Sequence, residues 1–313
     1  MADASKISWT DHTFNPWMGC QRVSQGCVHC YAETLITQRQ GKDLWGSKDK
    51  RARTSDALWK RPFKWNRESK ADVDGGGRVH RVFCASLADV FEDAPVPNAC
   101  RPDVFDVIRR TPWLDYQLLT KRPENIAAML PDDWGRGWPN VWLGTSIEDR
   151  RVVDRAVVLG EVPAFRRFIS YEPAIGPIMC ECHSVAFEPD SSIPEVTYSW
   201  LDDYTGPDLT WYNGDGDLAF DWLIAGGESG SERREMELGW ADDVRHQCEK
   251  EGVAFFFKQI SAFRPGQGED ALGEVHHNFP ASWDRSGLDA HPVYADNDGL
   301  LATPVKPNQG GSQ

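Results

Sequence analysis

Two hydrophobic rhythms alternate along this chain: short, nearly continuous apolar runs, and longer stretches in which apolar residues return about once per helical turn. The first kind predicts buried strands and the second amphipathic helices. From Arg78 onward the alternation is regular. Strands are predicted at Val79–Ser86, Tyr116–Thr120, Asn140–Ser146, Arg167–Pro173, Phe220–Glu228 and Val253–Gln259. Helices are predicted around Val104–Arg109, from Lys121-Arg122-Pro123-Glu124 onward, near Arg150–Val158 and near Trp240–Lys250. Upstream, Ile7–Thr10 and Phe14–Gly19 read as a first strand segment that delivers a cysteine-bearing loop, with a helix from Tyr31 to about Arg39 behind it.

Counting that first segment, about seven strands alternate with helices, the signature of a parallel sheet. The predicted fold class is therefore α/β, a partial or complete β/α (TIM-like) barrel over residues 1–260, followed by a capping segment and tail at 261–313. The rhythm breaks between about 179 and 219. No Lys or Arg occurs from Phe168 to Glu232, while Glu188, Asp190, Glu195, Asp202, Asp203, Asp208, Asp215 and Asp217 accumulate, so an acidic insertion between two barrel strands is expected, either a lid or partner surface or, more commonly for such segments, a solvated loop.

Each predicted strand ends in polar groups: Ser86 with Asp89, Thr120 with Lys121, Ser146 with Glu148, then Glu172, Glu228 and Lys258. In a β/α barrel these ends converge on one mouth, where chemistry is done. One such residue alone is as well explained as a helix cap, but the repetition is not.

Composition narrows the function classes. A chain of 313 residues with 14 Trp and 14 Phe can bury a large core. No apolar run reaches membrane-spanning length, and the N-terminus has no signal-peptide pattern, so no membrane association and a cytoplasmic location are expected. A formal charge of −14 argues against charge-driven binding along DNA. A local basic groove is still available in Lys60-Arg61-Pro62-Phe63-Lys64-Trp65-Asn66-Arg67, where cations interleave with rings that could stack on bases. The alternative is a solvated helix with its aromatics packed inward.

The chemistry concentrates in Cys20-Gln21-Arg22-Val23-Ser24-Gln25-Gly26-Cys27-Val28-His29-Cys30. Three thiols cannot pair off as disulfides, and Cys27 and Cys30 have the spacing at which two thiolates can face one soft metal. Three cysteines without a fourth ligand suit a 4Fe-4S cluster with one open iron. A zinc site completed by His12, His29 or a remote cysteine is the competing reading. Cys180, Cys182 and His183 could hold a second metal, although nothing elsewhere matches their spacing.

The run Lys6–Cys20, the Cys-x6-Cys-x2-Cys-Tyr-Ala-Glu that follows, Leu119–Pro123, Ser170–Pro173, Gly226–Gly230 and Phe256–Gln259 together resemble the phage-type three-cysteine radical SAM proteins. The resemblance implies a radical SAM barrel with a 4Fe-4S cluster on Cys20, Cys27 and Cys30 and S-adenosyl-L-methionine at the open iron. It also implies cofactor contacts among Ser86, Ser146, Glu148, Glu172, Gly226, Gly227 and Glu228. Two features depart from the common pattern: the first gap is six residues, and Gly226-Gly227-Glu228 follows roughly the sixth strand.

Some members of that family resemble enzymes of thymidine hypermodification. The implied reaction is isomerisation of N-linked to C-linked glycinyl thymidine in phage DNA, inside an infected bacterial host, with an electron donor such as flavodoxin. Lys121, Arg122 and Lys258 are the candidates to hold the glycine carboxylate. The alternatives are a radical SAM enzyme for another base, in damaged DNA or tRNA, and a zinc-stabilised, non-catalytic binding protein.

Overall fold

The structure, a computed structural model, describes residues 5–179 and 219–285. The predicted acidic insertion, with Cys180, Cys182 and His183, and the end of the tail lie outside the described residues. The strands are β1 (His12–Phe14), β2 (Trp17–Met18), β3 (Ala52–Arg53), β4 (His80–Cys84), β5 (Leu114–Thr120), β6 (Val141–Ser146), β7 (Arg166–Tyr171), β8 (Trp222–Gly226) and β9 (Ala254–Gln259). Seven of them form one parallel sheet in the order β1-β4-β5-β6-β7-β8-β9, while β2 and β3 make a small antiparallel pair. The helices are α1 (Tyr31–Glu33, continued by a π-helical turn over Thr34–Arg39), α2 (Asp56–Trp59), α3 (Arg61–Asp74), α4 (Pro95–Arg109), α5 (Ile126–Met129), α6 (Asp154–Gly160) and α7 (Leu238–Glu251).

The sheet is curled, as the rings on one of its faces show. Phe83, Trp142, Phe168, Trp222, Ile224 and Phe256 from five strands meet Trp9 on one face. Trp222 on β8 lies 5.7 Å from Trp142, two strands away, and 6.2 Å from Trp9, which precedes β1. In a flat sheet two strands alone would separate such rings by roughly 10 Å. The face is therefore concave, and the sheet forms a half-barrel. The alternate residues, among them Val82, Leu118, Leu143, Ile169, Leu223 and Phe257, belong to the larger cluster shared with the helices outside.

The predicted strand positions agree with the sheet to within a few residues, except at the start. The strand begins at His12 rather than Ile7, and Trp9 instead plugs the concave face. The basic stretch also resolves differently from the base-stacking expectation. It forms α3, whose Trp65 is 1% exposed and stacks on His12 with ring centroids 4.5 Å apart. Trp59 is buried under Arg53, and Arg110 covers Phe63. These rings are committed to protein partners, so stacking on bases is excluded for them, although Lys60, Lys64 and Arg67 remain exposed.

The capping segment runs along the free edge of β9 and then under the barrel. Phe257 N–H donates to His276 O at 2.8 Å and Asn278 N–H to Phe255 O at 3.1 Å, which satisfies an otherwise open edge. Phe279 packs on Trp222 and Phe256, with the Arg81 guanidinium 3.6 Å from its ring centre. Arg285 closes the segment through a 2.5 Å ion pair to Asp115, whose side chain is fully buried.

Candidate functional site

The cysteine loop lies across the C-terminal ends of the sheet strands, and groups beyond four strands hold it. Beyond β4, Glu92 Oε1 accepts from Gln21 N–H at 3.1 Å, and the Ser86 carbonyl accepts from the Tyr31 hydroxyl at 2.6 Å. Beyond β5, Arg122 donates to Gln21 O at 2.8 Å and lies 3.8 Å from Cys20 Sγ. Beyond β6, Glu148 accepts from Ser24 Oγ at 2.9 Å. Beyond β8, Glu228 accepts from His29 Nδ1 at 3.0 Å, while Arg234 donates to Gln25 O at 3.1 Å.

Each of these carboxylates is buried and carries its own cation. Glu92 is gripped by Arg51 through two 2.7 Å bonds, with both side chains all but inaccessible. Glu148 pairs with Lys121 at 2.8 Å and Arg155 at 3.1 Å. Glu228 pairs with Arg234 at 2.6 Å. Burial alone would raise both Glu148 and Glu228, but these cations, Ser24 and His29 outweigh it and hold both carboxyls below the ordinary carboxylate range. Asp89, also buried, accepts from Thr120 Oγ1 and from Arg122, each at 2.7 Å.

The thiols are free. Cys20 and Cys30 pack against the same apolar cluster of Ala32, Ile36 and Trp45, and Cys27 is buried with its Sγ 3.9 Å from the Ser24 hydroxyl. Burial pushes the Cys20 thiol up to about 12; Asp89 adds to this, and Arg122 opposes it. Burial likewise raises Cys30 against backbone N–H groups of Glu33 and Ala32. Among the described residues no three His, Cys, Asp or Glu side chains are already drawn together as a ligand set. A donor set of three thiols on one loop, flanked by apolar side chains and a guanidinium, nonetheless has the chemistry an iron-sulfur cluster requires, since thiolates are its ligands. The nitrogen ligands suggested for a zinc site have other partners: His12 bonds His80 at 3.2 Å and stacks on Trp65, and His29 bonds Glu228.

The remaining predicted residues gather at the same end of the sheet. Lys258, beside the irregularity where β8 and β9 slip register, forms an ion pair with Glu172. Ser146 is buried at the end of β6, with its carbonyl taking Arg155 at 2.9 Å. Ser86 Oγ accepts from Asn15 at 3.0 Å. Gly226 O accepts from Ala174 N–H. Gly227 is required for packing: a Cβ there would stand 2.3 Å from Ser261 N. Arg122 is buried among Asp89, Glu92 and Gln21, so it belongs to the wall that holds Cys20 and is not a free anchor for a carboxylate.

Glu92, Arg51, Arg155, Arg234 and Asn15 were not foreseen. Arg51 and Glu92 are 41 residues apart and Asn15 and Ser86 71, so no local spacing announces them; Arg155 and Arg234 lie only seven and six residues beyond Glu148 and Glu228, but no one-turn helical spacing marks those pairs. Among the described residues no helix is long and apolar enough to cross a membrane.

No curated protein and no solved structure matches the chain significantly. A family model matches it over residues 4–294, which takes in the cysteine loop, every strand of the half-barrel and the capping segment. The chain therefore belongs to the family described as protein of unknown function, DUF5131.

Proposed function

We propose that the protein is a radical SAM isomerase that converts N-linked to C-linked glycinyl thymidine in phage DNA. The observation that carries this reading is the three-cysteine loop hung over the mouth of the half-barrel, with a Lys–Glu pair among the groups around that mouth. Cys20, Cys27 and Cys30 would hold a 4Fe-4S cluster with S-adenosyl-L-methionine beside it. When bound, that pair of cofactors supplies a 5′-deoxyadenosyl radical able to take a hydrogen atom from an unactivated or captodatively stabilised carbon.

This chain's own residues then position and shield. Lys258 is the cation best suited to a glycyl carboxylate, because its partner Glu172 sits just beyond the end of β7, two strands away, and can take the substrate's amine in exchange. Lys121 is second, since its partner Glu148 is fully buried and also holds Ser24 and Arg155, so it is not available for exchange. The apolar cluster beside Cys20 and Cys30 shields one side of these partly buried thiols. An isomerisation needs no net oxidant, so the electron donor, a flavodoxin-like protein, is needed to start turnover. Exposed Lys60, Lys64 and Arg67 supply phosphate contacts.

The test is anaerobic purification and reconstitution, followed by iron and sulfide analysis and nucleoside mass spectrometry of hypermodified DNA. The reading expects a broad absorbance near about 400 nm and a product of unchanged mass but shifted retention. Lys258→Met should lower kcat/KM by roughly a hundredfold while iron content stays unchanged. Stoichiometric zinc in colourless protein would sink the enzyme reading. Activity on tRNA or damaged DNA alone would reassign the substrate.

A further inference from the structure

We propose that Glu92, Glu148 and Glu228 form a three-point clamp that gives the cysteine loop its shape before any metal arrives. The inference rests on reading this loop as metal-binding, but not on which metal it takes. Each carboxylate reaches a different part of the loop: Glu92 the Gln21 N–H at 3.1 Å, Glu148 the Ser24 hydroxyl at 2.9 Å, and Glu228 the His29 ring at 3.0 Å. Two cations complete the hold through backbone carbonyls, Arg122 on Gln21 and Arg234 on Gln25. Within the first cysteine gap Gln21, Arg22, Val23 and Gln25 are exposed, so Gln21 and Gln25 are held through their backbone groups, whereas Ser24 is partly buried and Gly26 buried.

The clamp also explains why the first gap is long. Gln21, Ser24, Gln25 and Gly26 are its attachment points, and a shorter gap would have fewer of them. Gly26 shows how closely the loop is seated, because a Cβ there would stand 2.4 Å from the Glu148 Cγ and 2.5 Å from its Oε1. Buried carboxylates are costly unless paired, and each of these is paired with an arginine or lysine that does not belong to the loop. The walls of the mouth are thus electrostatically complete, and the loop adds charge-assisted hydrogen bonds to them. Glu148 and Glu228 are accordingly positioning residues, as is Glu92. The clamp fixes the backbone, and the thiols converge by side-chain rotation when the metal binds.

Hydrogen–deuterium exchange on full-length protein stripped of metal tests this without relying on activity. Amides in peptides covering 20–30 should exchange slowly in the metal-free protein. Ser24→Ala combined with His29→Ala, which leaves every carboxylate in place, should speed them by about tenfold, the scale of losing hydrogen bonds to charged groups. Exchange in β5 and β8 should not change, which separates loop release from unfolding. Ser24→Thr, which keeps the hydroxyl, should preserve slow exchange, and Gly26→Ala should behave like the double variant. Free-chain exchange rates across 20–30 in the wild-type metal-free protein, or rates unmoved by the double variant, would overturn the clamp. Because no metal is present, neither result depends on whether the loop carries iron-sulfur or zinc.

Discussion

Glu148 is held ionised although its burial works the other way, because Lys121 and Arg155 close on it from separate elements. Its folded-state pKa is lowered, so folding favours the charged form. The stability this contributes is complete above the ordinary value of 4.5 and is lost as pH falls through the lower, folded-state value. Glu228 follows the same sign for the same kind of reason, with Arg234 and His29 as its partners. Between about pH 6 and about pH 3 the melting temperature of the wild type should fall more steeply than that of Glu148→Gln, which has no carboxyl to protonate. Parallel curves would show that the Glu148 cluster contributes nothing to acid sensitivity. Cys20 has the opposite sense, a thiol kept protonated by burial, so metal binding there has to displace a proton.

At the scale of elements, α3 shows how a mostly polar helix can be well anchored. Its buried stripe is Pro62, Trp65, Asn66 and Ser69, spaced one turn apart. Asn66 accepts from Trp113 N–H at 2.8 Å, and Ser69 Oγ accepts from His80 N–H at 2.9 Å, so the polar members of the stripe tie the helix to β4 and to the start of β5. Trp65 supplies the apolar part by stacking on His12 of β1. Trp65→Ala should cost about 3–5 kcal/mol by denaturant unfolding, the range for emptying a buried aromatic site. Lys64→Glu on the exposed side should stay within about 0.5 kcal/mol, and if the proposed DNA substrate is right it should weaken DNA binding in a salt-dependent way. The alternation read from the chain as cation and ring is real, but the helix sorts the two onto opposite faces.

For the molecule as a whole, the half-barrel is held at both open limits by segments distant in sequence. Trp9 enters the concave face from the N-terminal side, and the stretch from His276 to Arg285 seals the β9 edge and the underside. Arg285 and Asp115 are both essentially inaccessible, so removing one partner leaves a buried charge. Arg285→Ala should therefore destabilise the protein by about 3–5 kcal/mol, and the double variant Arg285→Met with Asp115→Leu should recover much of that loss in chemical denaturation. Full stability in the single variant would mean that the capping segment is an accessory and not part of the fold.

Read alone, the sequence determined the alternating strands and helices, the parallel sheet and the residues at the strand ends, because these depend on local periodicity and chain order. It also singled out the cysteine loop, since three thiols in so short a stretch have few other uses. It did not reveal what the strand-end residues do. Glu148, Glu228 and Arg122 look alike as charged residues beyond strands, and only the curl of the sheet brings them to Ser24, His29 and Gln21. Glu92 with Arg51 and Asp115 with Arg285 were equally illegible, because a buried ion pair is defined by a partner that can lie anywhere along the chain. The tertiary structure decided those pairings, and with them the shape of the loop over the barrel mouth.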